Sequence, residues 1–418
     1  MLIRLYRLAG DDEAAERQYA AFRQTLRDEL GVLPGRVVES ALRERRRESR
    51  RGTDAPSVAA VIEAGAAAVA AGAVEAGLGS LRTAVALADD CAQPSLRVRA
   101  RVVLAEGLIH SLGGLDEEGL AHLYEADRLA VQIGDDDAVA RARAELGYVD
   151  FLRAHYQRAE QWLTDAAERA GGSVSLQAKI ATYLGSVASD RGHYPQASAQ
   201  LERALRLARE VGEPRREAYA LSMVGRIALI RGDLDAAAAD LGRAAELAER
   251  DHWLFFLPWP QALVGEVHLE RDEVDAAADN LQQAFARAAQ LGDPCWEGIA
   301  ARGLALVAAA TGETDRAFDG LVDARTRCHR YADPYVWLDA HILDALCELG
   351  RRHDHPETRV WVETLNDLAS RTGMRELTVR ALRHAAALGD AGAGAAARLL
   401  AAEIDNPELH ALLARDSV

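Results

Sequence analysis

Lysine and cysteine are scarce in this sequence of 418 residues. One lysine, Lys179, stands among 49 basic residues, so arginine supplies nearly all of the positive charge. The four cysteines are scattered and form no C-x-x-C pair, a pattern that is typical of buried thiols in a reducing compartment. The sequence therefore predicts a cytoplasmic protein without disulfides.

Long uncharged apolar runs are missing as well. The opening MLIRLYRLAG is interrupted by arginines, unlike the continuous apolar core of a signal peptide. No stretch approaches the ~18 apolar, uncharged residues that a membrane-spanning helix needs. We therefore predict a soluble chain that does not contact membranes.

Catalytic motifs are also lacking. The chain has no phosphate-binding G-x-x-x-x-G-K loop, no G-x-S-x-G elbow and no H-E-x-x-H pair. The segment GDAGAGAAA (389–397) is interpreted as a helix boundary, and HDH (353–355) as a polar loop, because a metal site needs further ligands at defined spacing. We expect no enzymatic activity, no cofactor and no metal site.

Acidic residues outnumber basic residues by 65 to 49, which gives a formal net charge of −16. An acidic surface repels phosphate backbones, so direct DNA binding is not expected. The one basic run, RERRRESRR (43–51), either contacts DNA or an acidic partner, or is a solvated helix end that leads into a linker at 49–56. We favour the solvated helix end, because charge runs are usually solvated.

What the sequence does contain is a repeat of about 40 residues. Each copy has a small residue, a second small residue twelve positions later, then leucine after four positions and alanine after three more. The first small residues are Gly107, Gly147, Gly185, Gly225, Gly265 and Ala305, and the leucines are Leu123, Leu163, Leu201, Leu241, Leu281 and Leu321. Spacings of four and three keep these positions on one helical face. Turn signals such as GDL (232–234) and LGDP (291–294) separate the helices.

Each copy is therefore predicted to be a helix-turn-helix hairpin, and the chain resembles the tetratricopeptide-repeat (TPR) family. The resemblance implies an all-α, right-handed superhelix in which each repeat contacts only its neighbours. HEAT-type arrays have similar periods and remain the alternative fold. We assign the array to 57–334 and degenerate repeats with a C-terminal cap to 335–418, where Trp361 replaces the repeat leucine and Thr364 the repeat alanine.

The first residues have a different character. The string RQYAAFRQTLRDELGVLP (17–34) resembles the end of the bacterial transcriptional activator domain, which follows a winged helix in SARP-type regulators. The residues that carry this resemblance are Leu5, Tyr6, Gly10, Ala15, Tyr19, Leu26, Glu29, Leu30, Gly31, Val32 and Pro34. It implies that residues 1–48 are the C-terminal part of such a domain, and that the chain is a sensor or scaffold arm of a regulator.

The concave face of the array is the predicted binding groove. By the repeat register, positions six before and one after the first small residue point there. One row is Arg101, Arg141, Lys179, Tyr219 and Trp259, and the next is Leu108, Tyr148, Ser186, Arg226 and Glu266. Such rows could hold an extended peptide or a small acidic ligand, or they could be ordinary solvated and packing residues.

DHWLFFLPWPQ (251–261) is the richest aromatic segment. Trp253, Phe255 and Phe256 either form an exposed hydrophobic docking patch or fill a gap between repeats, which we favour because aromatic residues mostly lie in cores.

These patterns predict a non-enzymatic module of a bacterial transcriptional regulator that binds a protein or peptide partner in its groove. A small-molecule effector and a homodimer are both compatible with the pattern. A standalone sensor acting on a target protein and an oligomerisation scaffold are the alternatives.

Overall fold

The computed structural model describes residues 12–30, 54–111, 117–330 and 334–415. Within these ranges the chain is helical and contains no strand. The helices are α1 Asp12–Leu30, α2 Ala55–Ala70, α3 Val74–Asp89, α4 Pro94–Ser111, α5 Glu117–Ile133, α6 Asp136–Leu152, α7 Tyr156–Arg169, α8 Val174–Asp190, α9 Tyr194–Val211, α10 Pro214–Ile230, α11 Leu234–Arg250, α12 Pro258–Glu270, α13 Val274–Leu291, α14 Pro294–Ala310, α15 Thr314–Cys328, α16 Val336–Arg352, α17 Thr358–Thr372, α18 Arg375–Ala387, α19 Ala393–Ala401 and α20 Pro407–Arg415.

From α2 to α17, the helices pack as consecutive antiparallel pairs, which confirms the predicted hairpins. The repeat leucines and alanines lie at the contact between the two helices, and Leu163, Leu201 and Leu241 are completely buried. Glycine lies opposite most of these leucines. A Cβ atom on Gly185 or Gly225 would lie 2.6 Å from Cγ of the leucine sixteen residues later, which is closer than side chains approach each other. The small residue therefore sets the distance between the two helices.

The turns follow the predicted signals. Gly232 has φ = 80°, and the Asp233 carboxylate caps α11 by accepting from Ala236 N at 3.2 Å. Between hairpins, Gly292 has φ = 71°, and Pro294 opens α14. A further turn signal of this kind, YADP (331–334), lies almost entirely outside the described residues.

One hairpin departs from the pattern. The first helices α6, α8, α10 and α14 each have 17 residues, whereas α12 has 13. A proline is accommodated only in the first turn of a helix, so Pro258 and Pro260 prevent α12 from starting earlier. The segment 251–257 forms irregular turns instead, with His252 at φ = 52°. This segment carries Trp253, Phe255 and Phe256.

The C-terminal helices α18–α20 fold back against α8–α10, in the middle of the array. Val379, Ile404 and Leu409 share an apolar cluster with Tyr194 and Ile227. The expectation that each repeat contacts only its neighbours is therefore wrong for this chain. The superhelix brings helices that are far apart in sequence into contact, and apolar burial holds them together.

Polar contacts reinforce this long-range junction. The hydroxyl of Tyr194 donates to the carboxylate of Glu376. The amide of Asn406 donates to the same carboxylate at 2.8 Å and to the carbonyl of Ile230 at 3.3 Å. On the surface nearby, Arg231 pairs with Asp405 at 3.1 Å. The C-terminal helices thus have hydrogen-bonding partners as well as apolar ones.

A second long-range junction is fully buried. The guanidinium of Arg226, which is 1% exposed, donates to Asp190 at 2.5 Å and to the hydroxyl of Tyr335 at 2.8 Å. The hydroxyls of Tyr335 and Tyr156 each donate to Asp190 at 3.1 Å. Burial raises the pKa of Asp190, although Arg226 and the two hydroxyls act in the opposite direction. Asp190 and Tyr335, 145 positions apart in sequence, are therefore directly hydrogen-bonded.

The N-terminal helix α1 leaves two aromatic residues of the string 17–34 at least partly accessible to solvent. Tyr19 is half-buried and Phe22 is exposed. Most of the residues that carry the resemblance of 1–48, and the basic run 43–51, lie outside the described residues. Of the predicted linker, Asp54 is described and caps α2 through Ser57 N.

We predict that Leu241→Ala destabilises the chain by about 3 kcal/mol, because it leaves a cavity at a fully buried contact. Urea unfolding measures the change. Leu399→Ala is the control, since Leu399 is 75% exposed and its truncation should cost less than about 0.5 kcal/mol. Equal effects of the two substitutions would contradict the role of the repeat leucine.

We predict that Arg226→Met costs about 3–5 kcal/mol, because it leaves Asp190 buried without its counter-charge. Thermal and urea unfolding at neutral pH measure this loss. The matched control is Arg243→Met, which removes the exposed Arg243–Glu246 pair and should cost about 0–1 kcal/mol. A loss no larger than the control's would show that the buried junction does not stabilise the fold.

Candidate functional site

The first helices of successive hairpins enclose a cavity of about 240 Å³. Its walls come from α4, α6, α8, α10, α12 and α14, from the segment 251–257, and from Tyr335 just before α16. The walls are mostly apolar. This mixture of an apolar surface with a few polar groups is typical of ligand sites.

Aromatic rings form a continuous row along the cavity, with one ring from each of four successive first helices and two from the segment 251–257. The row runs through His110, Tyr148, Tyr183, Tyr219, Phe256 and Trp253. Successive ring centroids lie 4.8, 4.6, 6.2, 5.6 and 4.3 Å apart. Stacked and edge-on pairs at these distances stabilise one another. The row therefore presents a preformed aromatic surface.

Further aromatic rings form the deep end of the cavity. Trp259 lies 5.1 Å from Trp296 and 6.4 Å from Tyr335, measured between ring centroids. Tyr335 also lies 5.5 Å from Phe151. The same tyrosine binds Arg226 and Asp190, so one residue belongs both to the cavity wall and to the buried junction.

A charge cluster closes one side of the cavity. The ammonium of Lys179 donates to Glu106 at 2.6 Å and also to Glu145, and His110 contacts Glu145 at 2.7 Å. Burial by itself would raise the pKa of Glu145, but Lys179 and His110 outweigh it and hold this pKa below its usual range. Burial likewise acts to lower the pKa of Lys179, yet the two glutamates raise it. The lysine is therefore charged and already paired.

Two arginines at the cavity are paired too. Arg215 binds the carboxylate of Asp251, donates to the carbonyl of Asp251 at 3.2 Å, and lies over the ring of Trp253 at 5.9 Å. Arg216 pairs with Glu213 and donates to the Ser175 hydroxyl at 3.3 Å. Arg215 thereby ties the segment 251–257 to α10.

One buried acid lines the cavity. Asp293 caps α14, accepting from Cys295 N at 2.9 Å and from Trp296 N at 3.0 Å. Burial raises its pKa to about 6, although these backbone hydrogen bonds act to lower it. Burial also raises the pKa of the neighbouring Cys295 thiol well above its ordinary value, so the thiol is protonated at neutral pH and a poor nucleophile.

The structure brings together part of the predicted groove. Four of its residues line the cavity, namely Tyr148, Lys179, Tyr219 and Trp259. Trp253, Phe255 and Phe256 line it as well; the first two are half-buried and the third is buried. The aromatic segment therefore forms a cavity wall and not a separate patch.

The other predicted groove residues lie elsewhere. Arg101 is buried against Asp89 at 2.9 Å, and Arg141 is exposed and pairs with Asp137 at 2.8 Å. Leu108 is completely buried, Ser186 is buried and donates to the carbonyl of Thr182, and Glu266 accepts from Arg302 at 2.6 Å. Arg226 is in the buried junction. The predicted rows thus present no unpaired cation for an acidic ligand.

Several residues of the cavity wall were not predicted from the sequence. Tyr183 lies two positions before Gly185, whereas the predicted rows lie six before and one after. Those three positions are four and three residues apart and share a helical face, so the aromatic at this position was a usable signal. Tyr335 had no such signal, because only the fold brings it to the cavity.

In the described part of the chain, no group of three His, Cys, Asp or Glu side chains could hold a metal ion. His353 and His355 lie in the turn between α16 and α17, where His355 stacks on Trp361 with 4.7 Å between centroids. No described helix is long and apolar enough to span a membrane.

The fold is that of TPR-like helical repeat proteins. A Rap protein complexed with Competence and Sporulation Factor superposes with a TM-score of 0.61 at 12% identity, over 87% of this chain and 100% of that one. NprR in complex with its cognate peptide NprX gives 0.52 at 11% identity, over 70% and 85%. Aspartyl phosphate phosphatase F from Bacillus subtilis gives 0.50 at 12% identity, over 77% and 96%. No protein-family model and no curated protein matches the sequence.

We predict that Asp293→Asn stabilises the chain at pH 7 by about 1–2 kcal/mol. Because the folded-state pKa is raised, the native chain favours the protonated acid, and stability falls as pH rises from about 4 through 6. Asparagine keeps the capping oxygen without the buried charge, so this part of the pH dependence should disappear.

Urea unfolding between pH 4 and pH 7 makes the measurement. Asp233→Asn, at an exposed cap with the same type of contact, is the control and should leave the slope unchanged. An Asp293→Asn variant with the slope of the unmodified chain would contradict the assignment.

Proposed function

We propose that this chain is a non-enzymatic sensor that binds a peptide, or a segment of a protein partner, in the aromatic cavity. The observation that carries the proposal is the continuous row of rings, which runs across four successive hairpins into the segment 251–257. A row of this kind offers a preformed apolar surface whose area is large and whose ordering cost on binding is small.

The structural neighbours support a peptide as the ligand. The Rap protein was solved in complex with Competence and Sporulation Factor, and NprR in complex with its cognate peptide NprX. Their identity to this chain is 11–12%, so they support the fold, and the cavity residues of this chain carry the ligand argument.

In this proposal the signal leaves the cavity through Tyr335. Its ring contacts Phe151 and Trp259 at the cavity, and its hydroxyl shares Asp190 with Arg226. A ligand that moves the ring therefore perturbs the junction between α8–α10 and the region after Tyr335. A ligand shifts such an equilibrium by as much as its affinity differs between the two arrangements.

We further propose that the sensor acts in bacterial transcription. The support is the resemblance of residues 1–48 to the end of the transcriptional activator domain. The gene neighbourhood and transcript levels in a deletion strain test this part separately. Unchanged transcript levels would leave a standalone sensor acting on a target protein.

We predict that Phe255→Ala weakens peptide binding by about 30-fold, as expected when an aromatic anchor worth about 2 kcal/mol is removed from an interface. Peptides are selected from a displayed random library on the unmodified chain, and fluorescence anisotropy measures their affinity for each variant. Phe255 is half-buried in the cavity wall, so its removal should leave the fold intact.

The matched control is Phe285→Ala. Phe285, on α13, is also half-buried but packs under Arg327 of α15, and it does not line the cavity. Its affinity should equal that of the unmodified chain. Selected peptides that bind Phe255→Ala as tightly as the control, or a library that yields no binder, would contradict the proposed function.

A further inference from the structure

The geometry points to one class of group for this cavity: an uncharged, planar ring system of roughly two fused rings. The inference rests on the proposed function, because it names the chemistry that the same cavity binds. A tryptophan side chain of a peptide and a free small molecule both offer this chemistry.

Size comes first. An apolar cavity of about 150 Å³ binds a single benzene ring. The cavity here is about 240 Å³, roughly one and a half times as large. One benzene ring would leave part of it unfilled, and wall atoms that face an empty gap have no neighbour to supply dispersion attraction. Two fused rings match the available space.

The second constraint is the shape of the bound group, which depends on the aromatic rings of the cavity wall. Tyr148 and Tyr183 are stacked with an interplanar angle of 29°, and Trp253 and Phe256 with an angle of 14°. Both pairs belong to the row of rings that borders the cavity. Planar groups stack favourably on such faces or meet them edge-on, whereas a branched aliphatic group gains only its buried area.

Charge is the third constraint. Each charged side chain at the wall already has an internal partner: Lys179 has two glutamates, Arg215 has Asp251, and Arg216 has Glu213. Asp293 is engaged by backbone N–H groups.

His110 contacts Glu145. Burial raises the pKa of the Tyr148, Tyr183, Tyr219 and Tyr335 hydroxyls above their ordinary value, so these remain neutral. A charged guest would lose its hydration, and the charged side chains at the wall are already paired, apart from Asp293, whose carboxylate already accepts two backbone hydrogen bonds.

Calorimetric titration with three indoles of one ring system tests the inference. Indole-3-acetamide is neutral, indole-3-acetate is an anion and tryptamine is a cation. We expect the amide to bind, and both ions to bind at least about tenfold more weakly. An ion that binds as tightly as the amide would overturn the charge assignment, and phenylacetamide binding as tightly as indole-3-acetamide would overturn the size assignment.

A substitution that removes the partner of one wall arginine tests the charge constraint independently. Asp251→Asn removes the carboxylate partner of Arg215 at the cavity wall, so the ratio of acetate to acetamide affinity should rise several-fold. The matched control is Glu246→Gln, which releases Arg243 on the exposed face of α11 and should leave the ratio unchanged. An unchanged ratio in Asp251→Asn would show that the paired arginine does not decide the selectivity.

One further titration identifies the source of the ring system, and the results with the displayed peptides separate this inference from the proposed function. A blocked peptide, acetyl-Gly-Gly-Trp-Gly-Gly-amide, should bind more tightly than indole-3-acetamide if a peptide presents the ring, and more weakly if a free small molecule is the ligand. Displayed peptides that bind while no indole binds would overturn this inference and leave the proposed function standing. Indole binding without any peptide binder would overturn the proposed function and leave this inference standing.

Discussion

The close contact between a small residue on one helix and a leucine on the next determines the geometry of this chain. A side chain on Gly185 or Gly225 would collide with the repeat leucine, so the backbones approach as closely as the leucine permits. Because this contact recurs about every 40 residues, each hairpin has nearly the same separation as the one before. A regular separation is what allows helices from successive hairpins to form one continuous inner layer, and the aromatic row lies on that layer.

The array is nevertheless not a simple one-dimensional stack. Solenoid stability is usually a sum of terms for each repeat and its neighbours, but here Asp190 binds Tyr335, and Tyr194 binds Glu376. These contacts join the middle of the array to its C-terminal part across about 150–180 positions of sequence. A change at the junction therefore affects both the middle of the array and its C-terminal part. An open solenoid lacks this coupling.

Part of the aromatic wall of the cavity comes from a local departure from the repeat. Pro258 and Pro260 shorten α12 by one turn, and the irregular segment that replaces it supplies Trp253, Phe255 and Phe256. Carboxylates from neighbouring helices neutralise the few cations at the wall, as Glu106 and Glu145 do for Lys179. An acidic chain thus contains a cavity whose wall is largely aromatic and whose cations are paired.

The sequence by itself determined the helices, the hairpins, most turns and the identity of the buried face, because these depend on residues within about 40 positions of one another. The spacing of Gly225, Leu241 and Ala244 predicted the contact surface correctly. Tyr148, Lys179, Tyr219 and Trp259 were found from the same register.

Only the tertiary structure decided which of the groove candidates meet. Arg141 extends to solvent and Arg226 is buried, although both occupy predicted groove positions, because partners on the same or other helices fix their side chains. Tyr335 reaches the cavity from a distant part of the chain. Lys179 and Arg215 pair with carboxylates that lie outside their own helices. The place of Tyr335 follows from how far the superhelix winds before its C-terminal helices meet α8–α10, and repeat spacing carries no information on that.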